Sequence, residues 1–431
     1  MRSVRLFKRL ATTLPLFAVM LLVSSMAAQQ ESVLYSFNNN GTDGFYPFGG
    51  MVSDASGNFY GTTMNGGANC GPCGTVFELS PEENGDWSET ILHTFGVGAD
   101  GSGPRGNLIF DASGNLFGTT LYGGANSEGT VYELTPSSGG VWTETVLYSF
   151  NPFGKNTGYA PNSGVILDAV GNLYGTTTSG GTGNCYHGCG TVFQLTPSDG
   201  SWTETTLYNF GSNNPDGHMP ESSLLWDAAG NLYGTTYMGG VYNGGTVFEL
   251  TPTAGGVWDE TVLYNFSKRA GGYNPVSSLI FDSSGNLYGT TYRGGDPIAL
   301  TVPCPFSDGC GTVFELSPSS GGTWTENVLH SFVNNGSDGF NSESSLIFDT
   351  AGNLYGTTAY GGAYNGSTGG GIVFELTPTG GHWIETVLCR FNSVNGAGSL
   401  GSLLFDQLGN LFGTTNADGA YNFGMVFEII P

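Results

Sequence analysis

The side chains best equipped for chemistry in this sequence are acids and tyrosines that recur at regular spacing. Asp-Gly pairs stand at Asp43-Gly44, Asp100-Gly101, Asp216-Gly217 and Asp338-Gly339. Carboxylates grouped with backbone carbonyls can hold Ca²⁺ or sugar hydroxyls, while Asp-Gly is equally a plain turn-forming pair. Tyr122, Tyr237, Tyr292 and Tyr360 lie in loops and offer rings that can stack on sugars or simply pack. A further Asp recurs at Asp54, Asp111, Asp168, Asp227, Asp282, Asp349 and Asp406, each followed three residues later by Gly. Asp at the first and Gly at the fourth position suit a type I turn, so these seven are read as turn formers and not as a carboxylate ring. A Glu recurs at Glu78, Glu133, Glu249, Glu315, Glu375 and Glu428, but the third copy has Gln194, so hydrogen bonding and not charge is expected there. No Ser-His-Asp spacing, phosphate-cradling loop or His-Glu-x-x-His pattern occurs. No catalytic residue is assigned, no cofactor is required, Ca²⁺ is the one cation considered, and the identity of any other metal is left open.

These residues are set in a repeating frame. The string Gly-Asn-(Leu/Phe)-(Tyr/Phe)-Gly-Thr-Thr begins at Gly57, Gly114, Gly171, Gly230, Gly285, Gly352 and Gly409. A fixed period of this size means a solenoid or a propeller. Each copy reads as four short strands: A like Ser277 to Asp282, B like Gly285 to Thr291, C like Gly311 to Ser317, D like Thr325 to Phe332. Residues 32–37 read as a D strand with no A, B or C before them, and residues 424–430 read as a C strand with no D after them. Pairing the two completes the last unit and leaves no sheet edge open. The expected fold is therefore all-β: a seven-bladed β-propeller of four-stranded blades over 32–431, closed by the N-terminal strand. The blades fall at about 48–95, 106–150, 163–210, 222–266, 277–332, 344–391 and 401–430 plus 32–37, by the strand signals.

Residues 1–27 read as a signal peptide. Arg2, Arg5, Lys8 and Arg9 precede an apolar run from Leu10 to Val23, and Ser25-Met26-Ala27 supplies a small-x-small cleavage pattern. After cleavage six Lys and Arg face 35 Asp and Glu, a net charge of −29. Such a body repels nucleic acid and anionic membranes. A secreted or periplasmic monomer with no membrane span after cleavage is expected. Export also bears on cysteine: Cys70/Cys73, Cys185/Cys189 and Cys304/Cys310 are expected to be three local disulfides in B-to-C loops, with Cys389 a buried odd thiol. Cys70-Gly-Pro-Cys73 has the letters of a redox motif but lacks the helix N-terminus that activates one. Zinc needs four ligands, and His187 alone stands near a pair.

The run Gly-Asn-Leu-Tyr-Gly-Thr-Thr, then Gly-Gly, then Gly-Thr-Val-Phe-Glu-Leu-Thr-Pro resembles the GloVer tandem repeat of bacterial choice-of-anchor proteins, over essentially all of 32–431. More distantly, Asp-x-x-Gly-Asn-x-Tyr resembles the blades of NHL-repeat and streptogramin-lyase-like propellers. The resemblance implies a bacterial exported protein and brings no established activity. No sorting segment follows Pro431, so release and not tethering is expected. In such a ring the B-to-C and D-to-A loops share one face, where a site is expected and where the Asp-Gly loops are expected to converge on the central opening. Two functions follow: a non-catalytic propeller binding an extracellular polysaccharide or protein through that face, or a metal-dependent hydrolase or lyase, lactonase-like, with a site at the channel mouth. A structural surface-layer role is a third.

Overall fold

The computed structural model describes residues 30–68, 73–96, 98–154, 157–212, 215–267, 271–295, 304, 308–362, 369–392 and 394–430. All regular structure among them is strand, and none of it is a helix that could cross a membrane. Seven antiparallel sheets form the blades, each with strands A to D, and in the fifth the segment Gly272–Pro275 adds a further strand along strand B. Blade one runs A Val52–Ser53, B Phe59–Thr63, C Thr75–Pro81 and D Trp87–Thr94. The seventh runs Leu404–Phe405, Leu411–Thr415 and Met425–Ile430, and its D strand is Gln30–Ser36. The ring thus closes as the sequence requires, with Ser32 opposite Glu428 and Val33 opposite Phe427. Residues 1–27, read as a signal peptide, lie outside the described residues, as do most of Cys70's loop and Cys70 itself.

Strand A is shorter than its sequence pattern. In blade five the pattern covers Ser277 to Asp282, but only Ile280–Phe281 pairs with strand B. The preceding residues instead bond sideways to neighbouring blades around the axis: Ser223 N–H donates to Ser278 Oγ (3.1 Å), and Ser278 N–H to Ser345 Oγ (3.1 Å).

The repeat residues explain the blade. Asp282 Oδ1 accepts the backbone N–H of Ser284 and Asn286 at 2.8 and 2.9 Å, and Oδ2 accepts Asn286 Nδ2 at 2.8 Å. Gly285 closes that turn at φ +84°, a conformation that favours glycine. The strand-C acid bonds a strand-B tyrosine, as when Tyr233 Oη donates to Glu249 Oε1 (2.7 Å), and Gln194 Nε2 donates to Tyr174 Oη (2.8 Å) in blade three. An amide reverses the donor and keeps the contact, which is why charge is dispensable there.

Blades adhere through two repeated contacts. The Phe ending each D segment meets edge-on or tilted the aromatic ring of the next strand C, in pairs such as Phe95–Tyr132 (5.0 Å), Phe150–Phe193 (5.2 Å) and Phe332–Phe374 (5.3 Å). These fully buried rings dominate the core. Nearer the axis the first Thr of Gly-Thr-Thr donates to a carbonyl of the next blade, at 2.7 to 3.4 Å: Thr119 to Ser163, Thr176 to Ser222, Thr235 to Ser277, Thr290 to Ser344, Thr357 to Ser399 and Thr414 to Gly49. Thr62 holds the seventh position, and its buried hydroxyl has no partner among the described residues.

Cys185–Cys189 and Cys304–Cys310 are disulfides, with Cα separations of 5.2 and 5.5 Å in the range the bond requires. Cys389 is a free buried thiol that donates to Glu31 Oε2.

Candidate functional site

The D-to-A and B-to-C loops of a blade zip together by two-residue ladders, such as Gly44–Phe45 with Asn65–Gly66 and Gly339–Phe340 with Tyr360–Gly361. Gly comes first because a Cβ at Gly44 or Gly339 would collide with the Thr hydroxyl beneath it. Just after each ladder the chain turns towards the axis through a residue at positive φ: Tyr46 (60°), Gly103 (64°), Ala160 (58°), Met219 (59°), Asn274 (58°), Asn341 (56°) and Gly398 (67°). Five of the seven are not glycine, each at a cost of about 1 kcal/mol. The turn persists because it is bonded from both sides. Met219 N–H donates to Cys189 of the previous blade (2.8 Å), and its carbonyl accepts Tyr237 N–H (2.9 Å). Strain over-determined in this way gathers where a protein fixes a functional surface.

Two residues further on, the chain reaches the channel. Phe48, Arg105, Asn162, Glu221, Val276, Glu343 and Leu400 occupy the same place in the seven blades and line one cavity of about 110 Å³, with Ser163, Ser222, Ser277 and Ser345 among the residues beneath them. The ring is narrow because glycine lets the A segments touch: a Cβ on Gly106 would lie 2.4 Å from Gly164 N, and one on Gly401 2.5 Å from Gly49 O. A wider recess of about 490 Å³ opens beside it, lined by Phe48, Arg105, Glu343, Tyr360, Asn416 and Asp418 among others.

Arg105, Glu221 and Glu343 act on one another electrostatically across the mouth. Burial pushes Glu221 up to about 7, against the pull of Arg105 and with a further push from Glu343. Glu343 is likewise raised by burial and held down by Arg105. The Arg105 guanidinium lies 4.3 Å above the Phe48 ring, a cation–π contact that fixes its plane. Burial raises both Tyr237 and Tyr292, with Glu343 adding to the rise and Arg293 opposing it in each, and Tyr292 is pushed up to about 12. The site therefore offers planar N–H donors, carboxylate acceptors, hydroxyls and aromatic faces in one opening.

The tyrosines named from sequence divide accordingly. Tyr237 and Tyr292 approach the channel acids, Tyr360 lines the recess and stacks on Phe340 at 5.6 Å, and Tyr122 stands exposed on the ladder of blade two. The loop aspartates are elsewhere. Instead of converging on the opening, each folds back on the D strand it follows: Asp43 Oδ2 accepts Asn38 N–H (2.9 Å), Asp100 accepts Gly96 (2.7 Å), Asp216 accepts Gly211 (2.7 Å) and Asp338 accepts Val333 (2.9 Å). A loop only a few residues long needs that acceptor to satisfy its amides, which draws the carboxylate to the outer cleft between D strands. There Tyr35 donates to Asp43 (3.1 Å) and to Glu89 (2.9 Å) of the next blade, and Tyr208 donates to Asp216 (3.1 Å). Burial and the neighbouring Asp push Glu89 and Glu260 up to about 8.

Arg105, Glu221, Glu343 and Phe48 were not singled out by motif. Their signal is in the repeat itself: six residues before each strand-A Asp the seven copies read Phe, Arg, Asn, Glu, Val, Glu and Leu, while the flanking columns barely change.

Comparison with known proteins fits this picture. Among solved structures, an ancestral GH74 enzyme superposes with a TM-score of 0.55 at 13% identity, over 93% of this chain and 51% of that one. A fungal alcohol oxidase of the AA5 family, in complex with copper, gives 0.54 at 12% identity, over 93% and 76%. A protein from Lactobacillus plantarum gives 0.49 at 12% identity, over 94% and 100%. At such identities these likenesses speak to the fold alone. No curated protein matches significantly. The family model of the Gloeobacter/Verrucomicrobia repeat matches residues 22–186, 74–302 and 306–431, which takes in the strands of all seven blades described above. By its repeat, its ring of seven blades and that match, the chain belongs to the Gloeobacter/Verrucomicrobia repeat family.

Proposed function

We propose that this repeat β-propeller is an exported, non-catalytic binding protein whose D-to-A and B-to-C loop face takes an extracellular polysaccharide or protein, with the channel mouth as its anchor point. The observation that carries the reading is the concentration of variety: in a chain that repeats its framework seven times, the side chains around the opening are Phe, Arg, Asn, Glu, Val, Glu and Leu. A few directed polar groups beside aromatic faces are the ordinary make-up of a specific binding site. Arg105 with Glu221 and Glu343 supplies donors and acceptors for hydroxyls or for a polypeptide, and Phe48, Tyr292 and Tyr360 supply the faces. The pair of disulfides in B-to-C loops suits an oxidising compartment outside the cytoplasm.

A second reading, a metal-dependent hydrolase or lyase acting at the same mouth, has one observation in its favour. Glu221, held near 7, is poised to give or take a proton at neutral pH. Against a metal there, the charge between the two acids is already supplied by Arg105. The test is a binding screen of soluble polysaccharides and secreted proteins with product analysis, comparing wild type with Arg105→Ala and with Glu221→Gln/Glu343→Gln. Saturable binding weakened at least tenfold by either variant, with no new product, supports the binding reading. Metal-dependent lactone or polysaccharide cleavage abolished by the Glu pair overturns it.

A further inference from the structure

The outer clefts between blades repeat one three-part constellation: a D-strand residue, a D-to-A loop residue and a Glu from the next D strand. In two clefts the set is Tyr-Asp-Glu (Tyr35, Asp43, Glu89 and Tyr208, Asp216, Glu260), and the tyrosine hydroxyl donates to the loop carboxylate. In two others histidine replaces the tyrosine: His93 with Asp100 and Glu144, and His330 with Asp338 and Glu385. We propose that these two clefts are divalent-cation sites of the zinc class, each binding one ion through the histidine Nε2 and one oxygen from each carboxylate.

The spacing is the first argument. In both triads the three ligand atoms all lie within 4.8 Å of one another. His330 Nε2 is 3.3 Å from Asp338 Oδ2 and 3.7 Å from Glu385 Oε1, and His93 Nε2 is 3.5 Å from Asp100 Oδ2. Two ligands bound tetrahedrally at zinc distances stand about 3.4 Å apart, so a cation fits among these atoms with little movement. The second argument is hydrogen bonding. Glu144 Oε1, Glu385 Oε1 and His93 Nε2 are buried and have no hydrogen-bond partner among the described residues. Buried polar atoms are normally satisfied, and a cation in the first cleft would engage both His93 Nε2 and Glu144 Oε1, while one in the second would engage Glu385 Oε1. Third, the ligands are already oriented. Asp338 Oδ2 accepts Val333 N–H, its Oδ1 accepts Gly339 N–H, and Asp100 is held by Gly96 and Gly101. Each site draws on two blades and stays reachable, since the two His side chains are 20% exposed. An imidazole nitrogen with two carboxylates suits zinc-class ions better than Ca²⁺, which takes six to eight oxygens.

The molecule supplies its own control. Tyr at the histidine position is compatible with the blade in clefts that keep the Asp and the Glu, so His→Tyr removes the nitrogen ligand and retains the fold. Chelator-treated full-length protein is titrated with Zn²⁺ by calorimetry, with bound metal counted by elemental analysis after desalting, and with thermal midpoints recorded alongside. Two ions per wild-type chain, one in His93→Tyr, one in His330→Tyr and none in the double variant, with a Zn²⁺-dependent rise in midpoint lost in step, is the expected result. A wild type that retains no Zn²⁺, or a double variant that retains as much as wild type, overturns the proposal. Equal metal-free midpoints for wild type and double variant ensure that a lost ion is not a lost fold.

Discussion

Strand A has two ends, and they are built on opposite principles. At the A-to-B turn the residue is Asp seven times, and its carboxylate repeats one bonding scheme, seen alike at Asp111, Asp227, Asp349 and Asp406. At the channel end the residue changes in nearly every blade, from Phe48 and Leu400 to Arg105 and Glu343. The same short segment joins both. What repeats is what every blade needs in order to turn and pair. What varies is the surface that no blade needs for itself, and so is free to meet something else.

The comparison breaks if the constant end proves dispensable. Asp282→Ala leaves the amides of Ser284 and Asn286 and the Asn286 side chain without their acceptor. We expect a loss of about 2–3 kcal/mol, since several bonds to one charged acceptor fail together, read as a lower urea midpoint at unchanged slope. At the variable end the order of effects reverses. Arg105→Ala is expected to reduce ligand binding at least tenfold, about 1.4 kcal/mol, with a smaller change in the urea midpoint. If the Arg105 variant instead loses more stability than the Asp282 variant, the channel ring is framework and the distinction fails.

The outer clefts sharpen the contrast, because their carboxylates repeat in part. Glu89 and Glu260 are pushed up to about 8 and Glu221 to about 7, above the ordinary Glu value that the unfolded chain would show. For such groups the folded state keeps its proton longer than the unfolded state. Stability is therefore greatest at low pH and falls as pH rises from about 4.5 to about 8. The turn aspartates Asp168, Asp227, Asp282 and Asp349 are lowered and act in the opposite sense, losing their contribution only as pH falls below the ordinary Asp range. Chemical denaturation across pH should show a maximum near pH 5, and Glu260→Gln should flatten the alkaline decline by about 1 kcal/mol at pH 8. The smallest expected effect is Met219→Gly, which relieves a left-handed residue but adds freedom to the unfolded chain, for a net change below about 1 kcal/mol.

The fold was readable because its determinants are local and repeated. The Gly-Asn-Leu-Tyr-Gly-Thr-Thr runs, the turn Asp residues and the split of one blade between residues 32–37 and 424–430 dictate strands, turns and closure without knowledge of distant contacts. The site was less readable because it is assembled across blades. Asp43 and its equivalents carry the letters of a ligand site, yet the short loop needs their oxygens for its own amides and holds them in the outer clefts. Nothing adjacent in sequence says that Glu385 would stand 3.7 Å from His330 of another blade. Arg105 enters blade two and Glu343 blade six, and they line one cavity only because a ring brings all seven positions to one axis.

The seams of the ring are not bonded alike, and the one that lacks the threonine contact is not where the chain ends meet. The closing strand is bonded along Gln30–Ser36, and Thr414 secures the seventh blade to the first through Gly49. Between the first and second blades the Thr62 hydroxyl has no partner among the described residues, a deficit of about 1–3 kcal/mol for a buried donor. Amide exchange should be fastest at that seam among the inner strands. Since Phe48 and Arg105 stand on its two sides, the same breathing would widen the channel where the Arg105 guanidinium rests on the Phe48 ring.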